Sequence, residues 1–433
     1  MRDALVFTIV LLSLPIIVFR PYVGVLMWVW ISVMNPHRLT FGFAYSFPFA
    51  MIIAVTTLIA CVLSPQRRPF PWTPVTTVMV LFVLWMSFTS LFALQPASVV
   101  YESWSQVMKT QLMIFVTLML IQGRRQIDLL IWALVISLGF YGVKGGVFTV
   151  LGGGANRVWG PPGSFIEGNN EIGLALAMLI PLMYYLAGAA RRPVIRYGLW
   201  ASMVACGFAI LGTHSRGALL AVCAAALFLG IKSGRPVVMT IVFAMALAGA
   251  VAFMPDSWTS RMNTIETFDQ DASAMSRLDT WATIWRLALN RPIVGAGFNL
   301  DNPAIFTTYG AMPNQGVYTA HSIYFQALGE HGFPGLALLL LLGVLVWTRS
   351  RKVVSIASGR PELDWAVRLA RMIQVSVLVF AVGGAFLGLL HFDLPYYLAA
   401  LIVLLEVEVR RHTAEQDKPQ PESMVHSREM SSV

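Results

Sequence analysis

The chain has 433 residues, of which 57% are hydrophobic and only 12% are charged, and its mean hydropathy is +0.70. Soluble domains carry about twice that share of charged residues, so the composition excludes a soluble globular protein and indicates an all-α helical bundle in a membrane. The net charge of +9 does not indicate a nucleic acid partner, because no soluble basic domain carries it. The three cysteines lie in apolar runs, which is typical of neither a disulfide framework nor a metal cluster.

Apolar segments of the length needed to cross a bilayer recur along the whole chain. They lie near 4–19, 21–35, 47–63, 74–94, 106–122, 127–151, 170–189, 197–213, 217–231, 236–254, 333–348, 367–390 and 394–408. We therefore predict a polytopic bundle of about 12 transmembrane helices. The first two runs, divided by Arg20-Pro21, form either one crossing or two.

Basic residues fall on alternate connections between these runs. The basic connections hold Arg67-Arg68, Arg124-Arg125, Arg191-Arg192 with Arg196, Lys232 with Arg235, and the basic residues of 349–360. Because short cytoplasmic loops are enriched in Lys and Arg, these connections and the C-terminal tail are predicted to be cytoplasmic.

The alternation of basic and non-basic connections, together with the apolar runs, divides the chain into four parts. We predict an N-terminal transmembrane bundle (1–254), one large non-cytoplasmic loop with short helices (255–332), C-terminal transmembrane helices (333–408) and a disordered tail (409–433). Within the loop, 271–291 has helical spacing of its apolar residues. This helix either lies in the membrane interface plane or packs on the bundle.

Two short motifs at ends of apolar runs, both on the non-cytoplasmic side, could carry chemistry. Arg216, in His214-Ser215-Arg216-Gly217, has a planar fork of donors that suits a phosphate or diphosphate. A snorkelling interfacial arginine is the structural alternative. His321 is predicted to share a helical face with Tyr324, Phe325 and Leu328. Its imidazole could accept a proton from a sugar hydroxyl, and a purely structural histidine is the alternative.

Further cations and polar groups map to the same side of the membrane. Candidate substrate-binding residues are Lys144, Arg157, Asn170, Arg277, Arg286 and Tyr324. Motifs of metalloproteases, serine hydrolases and P-loop enzymes are absent from the sequence, and the D-x-D formed by Asp269 and Asp271 is predicted to cap the following helix. The sequence therefore favours chemistry without a metal and without a cofactor.

Taken together, the motifs resemble the O-antigen ligase/polymerase family over about 150–390. The resemblance is carried by Ser215-Arg216-Gly217-Ala218, by Ser276-Arg277 with Trp285, Pro292, Gly295, Gly297 and Asn299, and by His321-Ser322 with Tyr324, Leu328-Gly329-Glu330 and Gly332. The N-terminal Met34-Asn35-Pro36-His37-Arg38, with Phe47-Pro48-Phe49, resembles the exosortase-associated O-glycosylation ligase branch.

The resemblance implies a metal-independent glycosyltransferase at the periplasmic face of the bacterial inner membrane. Such enzymes move O-antigen glycan from undecaprenyl diphosphate to the lipid A–core oligosaccharide of lipopolysaccharide. At matching positions, Arg216 and Arg277 would bind the diphosphate and His321 would abstract or orient the acceptor hydroxyl proton, with inversion at the anomeric carbon. The partners implied are that lipid-linked donor, the lipid A–core acceptor and membrane lipids.

Three alternatives remain open from the sequence. An O-antigen polymerase or a protein O-oligosaccharyltransferase would use the same lipid-linked donor and the same residues. A lipid-glycan transporter belongs to a different class, and it is disfavoured because the candidate charges gather at one membrane surface instead of the midplane.

Overall fold

The computed structural model describes residues 1–232, 236–263, 272–310 and 317–416. These residues form helices and turns, without a strand among them. The first eight helices are α1 (Arg2–Phe19), α2 (Tyr22–Val29), α3 (Phe49–Leu63), α4 (Pro74–Ser90), α5 (Ala97–Leu120), α6 (Gly123–Leu151), α7 (Asn169–Ala189) and α8 (Pro193–Gly212). The next eight are α9 (Arg216–Lys232), α10 (Pro236–Ala252), α11 (Asp256–Asn263), α12 (Ala272–Asn290), α13 (Pro303–Tyr309), α14 (Ile323–Ala357), α15 (Asp364–Gly383) and α16 (Asp393–Gln416).

Within the described ranges, six helical segments are long and apolar enough to cross a membrane. They are α1, α6, α7, α8, α14 and the segment Pro361–Phe386, which contains α15. Shorter apolar helices accompany them at Tyr22–Met34, Phe49–Leu63 and Pro74–Ser90. The chain is therefore a multi-pass membrane protein, and the predicted all-helical class is confirmed.

The spanning helices differ in how much of their surface the protein covers. The most apolar stretch of α7 is 78% buried, whereas that of α1 is 22% buried. Ser376 of α15 donates to the Met178 carbonyl of α7 (2.8 Å). Gly146 of α6 lies so close to α8 that a Cβ would be 2.1 Å from the Ala205 carbonyl oxygen. Small residues permit this close packing, and the protein core lies around α7.

The helix predicted at 271–291 is present as α12, although Asp271, like Asp269, lies outside the described residues. The Trp281 ring stacks on Phe325 of α14 with centroids 5.0 Å apart. The Trp281 indole N–H donates to the Ala320 carbonyl (2.8 Å). Of the two arrangements predicted for this helix, packing on the bundle is the one observed.

A glycine interrupts α14. Gly332 has a positive φ of 69°, and a Cβ there would lie 2.3 Å from the Ile293 carbonyl oxygen. The passing loop 292–297 pairs with the interruption, since the Ala296 amide donates to the Gly329 carbonyl (2.7 Å). Only glycine permits the backbone of loop 292–297 to come this close at position 332. The glycines of the sequence motifs in this loop and in α14 therefore have a structural role.

The start of α14 corrects one prediction. The helix begins at Ile323 after the N-cap Ser322, whose side chain accepts from the Phe325 amide. Residues 323–331, which the sequence assigns to the large loop, are therefore helical. The prediction that His321 shares a helical face with its neighbours is wrong, because His321 precedes the cap.

The first part of the predicted disordered tail is helical. Residues 409–416 continue α16, whereas the sequence predicts disorder from 409. Ion pairs one turn apart support the extension, Glu406 with Arg410 and Arg411 with Glu415. Residues 417–433 lie outside the described part of the chain.

Candidate active site

The turn between α8 and α9 places Arg216 at the start of α9. The Asn169 side chain donates to the Thr213 carbonyl (2.7 Å), which ties the turn to the beginning of α7. His214 has a positive φ of 55°, and its Nε2 lies 3.0 Å from the Gly154 carbonyl oxygen. Such backbone costs of the order of 1–3 kcal/mol and is concentrated at functional sites. The buried turn thus fixes the position of the half-buried Arg216.

Arg216 and Arg277 line one small cleft. Its walls are formed by Asn170, His214, Arg216, Gly217, Arg277, Phe386 and Leu387. A Cβ at Gly217 would lie 3.3 Å from Phe386 Cβ, so the small residue lets the wall approach α9. Two guanidinium groups on one cleft provide several donors in fixed planes, an arrangement that suits a diphosphate.

His321 borders this cleft without being one of its lining residues. Its Nε2 lies 2.8 Å from Thr319 Oγ1. Gly388 faces the His321 backbone, since a Cβ there would lie 3.8 Å from the His321 amide nitrogen, and the cleft residue Leu387 adjoins it. The Arg277 guanidinium interacts electrostatically with both Glu171 and His321. Arg277 therefore links the histidine to the cleft.

The environment of His321 keeps its imidazole neutral. Burial, with a smaller contribution from Arg277, lowers the pKa of His321 from 6.5 to about 4. The residue also has a positive φ of 42°, so its backbone is held in a sparsely populated conformation by the surrounding structure. A neutral, positioned imidazole at physiological pH can accept a proton or orient a hydroxyl.

The structure brings Asn170 to the cleft together with the two arginines, but it places other predicted binding residues elsewhere. The side chains of Lys144 and Arg157 are exposed and do not line the cleft. The Arg286 guanidinium donates to the Gly310 carbonyl (2.8 Å). Roles in substrate binding for these three residues stay predictions.

Tyr324 faces a different cavity. Its hydroxyl donates to the Ala381 carbonyl of α15 (2.8 Å), and its ring lines an open apolar groove between α14, α15 and α16. The groove begins at Ile323, two residues after His321, and extends along α14 to Trp347. It therefore runs through the part of the protein that hydrocarbon surrounds.

Sequence reasoning missed Phe386 and Leu387 as cleft residues. Both belong to an apolar run that the sequence predicts as the continuous span 367–390. The helix ends at Gly383 and the chain turns at Gly384, and the paired glycines are the available signal for that break. The segment that follows supplies a wall of the cleft.

Comparison with known proteins agrees with this geometry. Residues 201–340 match the family described as O-antigen ligase, and residues 1–191 match a family of unknown function (DUF5935). A search of curated proteins gives no match. The N-terminal resemblance to the exosortase-associated branch therefore stays a prediction. Arg216, Arg277 and His321 all fall within 201–340, so this match supports the resemblance to the O-antigen ligase family that the motifs predict.

Proposed function

We propose that this protein is a glycosyltransferase that moves O-antigen glycan from undecaprenyl diphosphate to the lipid A–core oligosaccharide of lipopolysaccharide. The reaction inverts the anomeric centre and needs no metal ion. The observation that carries the proposal is a single cleft lined by Arg216 and Arg277, next to a neutral His321, within a segment of the O-antigen ligase family.

The arginines account for the leaving group. As the sugar–phosphate bond breaks, its electron pair remains on the diphosphate, where negative charge grows. Arg216 and Arg277 provide positioned positive charge for that developing charge, and preorganised donors of this kind contribute the largest part of many rate enhancements. In this proposal they do the work that a metal ion does in other phosphate-departing reactions.

His321 accounts for the acceptor. The acceptor hydroxyl oxygen attacks the anomeric carbon in line with the departing diphosphate, so the new bond forms on the opposite face of the sugar. The hydroxyl proton passes to the imidazole, or the imidazole orients the hydroxyl while the proton leaves to water. The low pKa of His321 keeps it in the form that either role requires.

The apolar groove accounts for the lipid tail. It begins at Ile323 and Tyr324 beside the cleft and is lined almost entirely by apolar residues of α14, α15 and α16. A polyprenyl chain in this groove would place its diphosphate at the outer end, where the arginines lie. The apolar runs predict about 12 crossings of a bacterial inner membrane. The basic connections predict that this end of the groove and the loop 255–332 lie on the periplasmic side.

Transfer by the purified full-length chain in detergent tests the proposal. The donor is labelled undecaprenyl-diphosphate glycan, the acceptor is rough lipopolysaccharide, and parallel reactions contain a chelator. We expect labelled lipopolysaccharide with and without the chelator, and loss of product in Arg216→Ala and His321→Ala. Arg351→Ala, an exposed arginine far along α14, is the matched control and should transfer normally.

The same assay separates the alternatives. Growth of the lipid-linked chain without lipopolysaccharide labelling would identify a polymerase, and label on serine or threonine of an added protein would identify a protein glycosyltransferase. Wild-type rates in folded Arg216→Ala and His321→Ala would overturn the proposed site. Absence of any transfer in detergent, where no second compartment exists, would favour transport.

A further inference from the structure

A second polar cluster lies inside the protein, away from the cleft. Glu330 and His331 precede the Gly332 interruption of α14, and His391 precedes α16. Their exposed fractions are 3%, 0% and 8%. Burial of ionisable groups in the membrane-spanning part of a protein costs free energy, so their presence there points to a function. This cluster does not line the cleft.

Hydrogen bonds determine which nitrogen of His331 carries hydrogen. Thr89 gives its hydroxyl hydrogen to the Met86 carbonyl (3.0 Å). With its hydrogen on that carbonyl, Thr89 Oγ1 accepts from His331 Nδ1, which lies 2.8 Å away. With Nδ1 protonated, the neutral imidazole presents the Nε2 lone pair, and this atom lies 3.6 Å from Glu330 Oε2. Two acceptors thus face each other in a buried space.

The carboxylate of Glu330 is itself held in place. Its Oε2 lies 2.7 Å from His391 Nε2, and its Oε1 accepts from the Gln326 side chain (3.2 Å). In the described part of the chain, no Lys or Arg forms an ion pair with Glu330, and His331 Nε2 and His391 Nδ1 have no hydrogen-bond partner.

The surroundings make this arrangement incomplete without a cation. The ring of Phe298 lies 5.1 Å from each imidazole, centroid to centroid, so the cluster is enclosed by apolar side chains. Glu330 is thus a buried carboxylate that no Lys or Arg of the described residues pairs with, and a buried charge without a compensating cation is costly. A positive charge between His331 Nε2 and Glu330 Oε2 would remove that cost.

We propose that Glu330, His331 and His391 form a binding site for one divalent transition-metal ion, with zinc as the ion to test. One ligand atom from each residue lies within 4.8 Å of the other two. Two imidazoles and a carboxylate are a donor set that zinc and related first-row metals accept. The hydrogen bond from His331 Nδ1 to Thr89 is the orienting contact that metal-binding histidines usually make with their second nitrogen.

The ion would act as a structural clasp. It would join α14 at its interruption to the segment between α15 and α16, and that segment also supplies Phe386 and Leu387 to the cleft. The site is independent of the proposed transfer chemistry, because no ligand of the ion lines the cleft and no step of transfer uses it.

Metal content of the purified full-length protein is the primary test. Cells are grown with added zinc, and the protein is freed of loosely bound metal before elemental analysis. We expect about one zinc ion per chain in the wild type and close to none in His331→Gln or His391→Gln. His412→Gln, an exposed histidine on α16, is the matched control and should keep the wild-type content.

Cobalt provides a measurement that needs no variant. Replacement of zinc by Co²⁺ in the wild-type protein should give the visible absorption bands of a site with nitrogen and oxygen ligands, and zinc should abolish them. Wild-type protein that holds no more zinc than His331→Gln, or that gives no such bands, overturns the proposal. A proton on His331 would then balance Glu330.

Thermal unfolding keeps this test separate from that of transfer. Prolonged chelation should lower the melting temperature of the wild type and leave that of His391→Gln unchanged. Loss of transfer with a lowered melting temperature reports loss of the clasp. Loss of transfer at an unchanged melting temperature reports a metal in the reaction and contradicts the proposed function.

Discussion

Two groups of polar residues lie near the outer half of α14, and they differ in how their charge is accommodated. Arg277 and His321 are half-buried; Arg277 lines the cleft and His321 borders it. Glu330 and His331 are almost fully buried and contact only the protein. Glu330 lies seven residues after Ile323, the first residue of α14, which corresponds to roughly 10 Å of helix. The protein thus keeps the charges proposed for binding apart from those that hold the fold together.

The largest effect is expected from a substitution in the buried cluster of Glu330, His331 and His391. Glu330→Ala leaves His391 and Gln326 without their shared partner, and removal of one member of a buried charged network costs about 3–5 kcal/mol. We expect a large fall in the melting temperature measured by intrinsic fluorescence in detergent. Glu415→Ala, which removes an exposed carboxylate one turn from Arg411, should leave the melting temperature unchanged.

The next largest effect is expected from a substitution in the cleft, which should lower the transfer rate without lowering the stability of the fold. Arg277→Ala should lower the transfer rate about 100- to 1000-fold, the usual cost of losing one preorganised donor. Its melting temperature should stay close to that of the wild type. Arg277→Lys should recover part of the rate, because it restores the charge without the planar fork. Equal rates for Arg277→Ala and wild type would remove this residue from the site.

A third prediction sharpens the link between Arg277 and His321. Because the pKa of His321 is lowered to about 4, the neutral form dominates above that pH and is lost as the pH falls through it. The rate of transfer should therefore fall in acid with a midpoint near 4. In Arg277→Lys the same midpoint should be kept, whereas in Arg277→Ala it should rise slightly and stay well below 6.5, because the smaller cause of the lowered pKa is gone and burial, the larger cause, remains. The measurement is kcat/KM against pH.

The smallest effect concerns the lipid groove. Gly343 lines the groove, and nothing lies within 4 Å of the position of a Cβ there. Gly343→Phe should therefore fill space without disturbing the protein and raise the KM for the polyprenyl donor several-fold, since each excluded CH₂ contact is worth about 0.8 kcal/mol. Gly207→Phe, also in open space on α8, is the control. An unchanged KM would place the tail elsewhere.

Apolar content made the class of fold predictable, and local motifs made part of the site predictable. Arg216 could be found because an arginine next to a membrane-embedded run is costly and needs a reason, and Arg277 could be found from the loop cations on one membrane face and from the Ser276-Arg277 motif. The position of His321 before the helix was not predictable, since its distinction from a helical residue depends on the Ser322 cap and on contacts with α12. Periodicity alone cannot separate these cases.

The buried cluster was less visible still. His391 is separated from Glu330 and His331 by most of α14 and the whole of α15, so no spacing rule connects them. The break at Gly383-Gly384 was hidden inside a continuous apolar run, although the glycines mark it. Both features depend on how distant helices meet, and that information is not present in any window of the sequence.

The composition of the cleft has a consequence for chimeric enzymes. Arg216 and Arg277 come from the segment 201–340, but Asn170 comes from the preceding matched region and Phe386 from beyond both. A hybrid that receives only 201–340 from a relative would combine the arginines of that relative with Asn170, Phe386 and Leu387 of this protein. An exchange point after His391 would transfer Phe386 and Leu387 together with the arginines. Chimeras designed to change the preferred glycan donor are therefore best joined there.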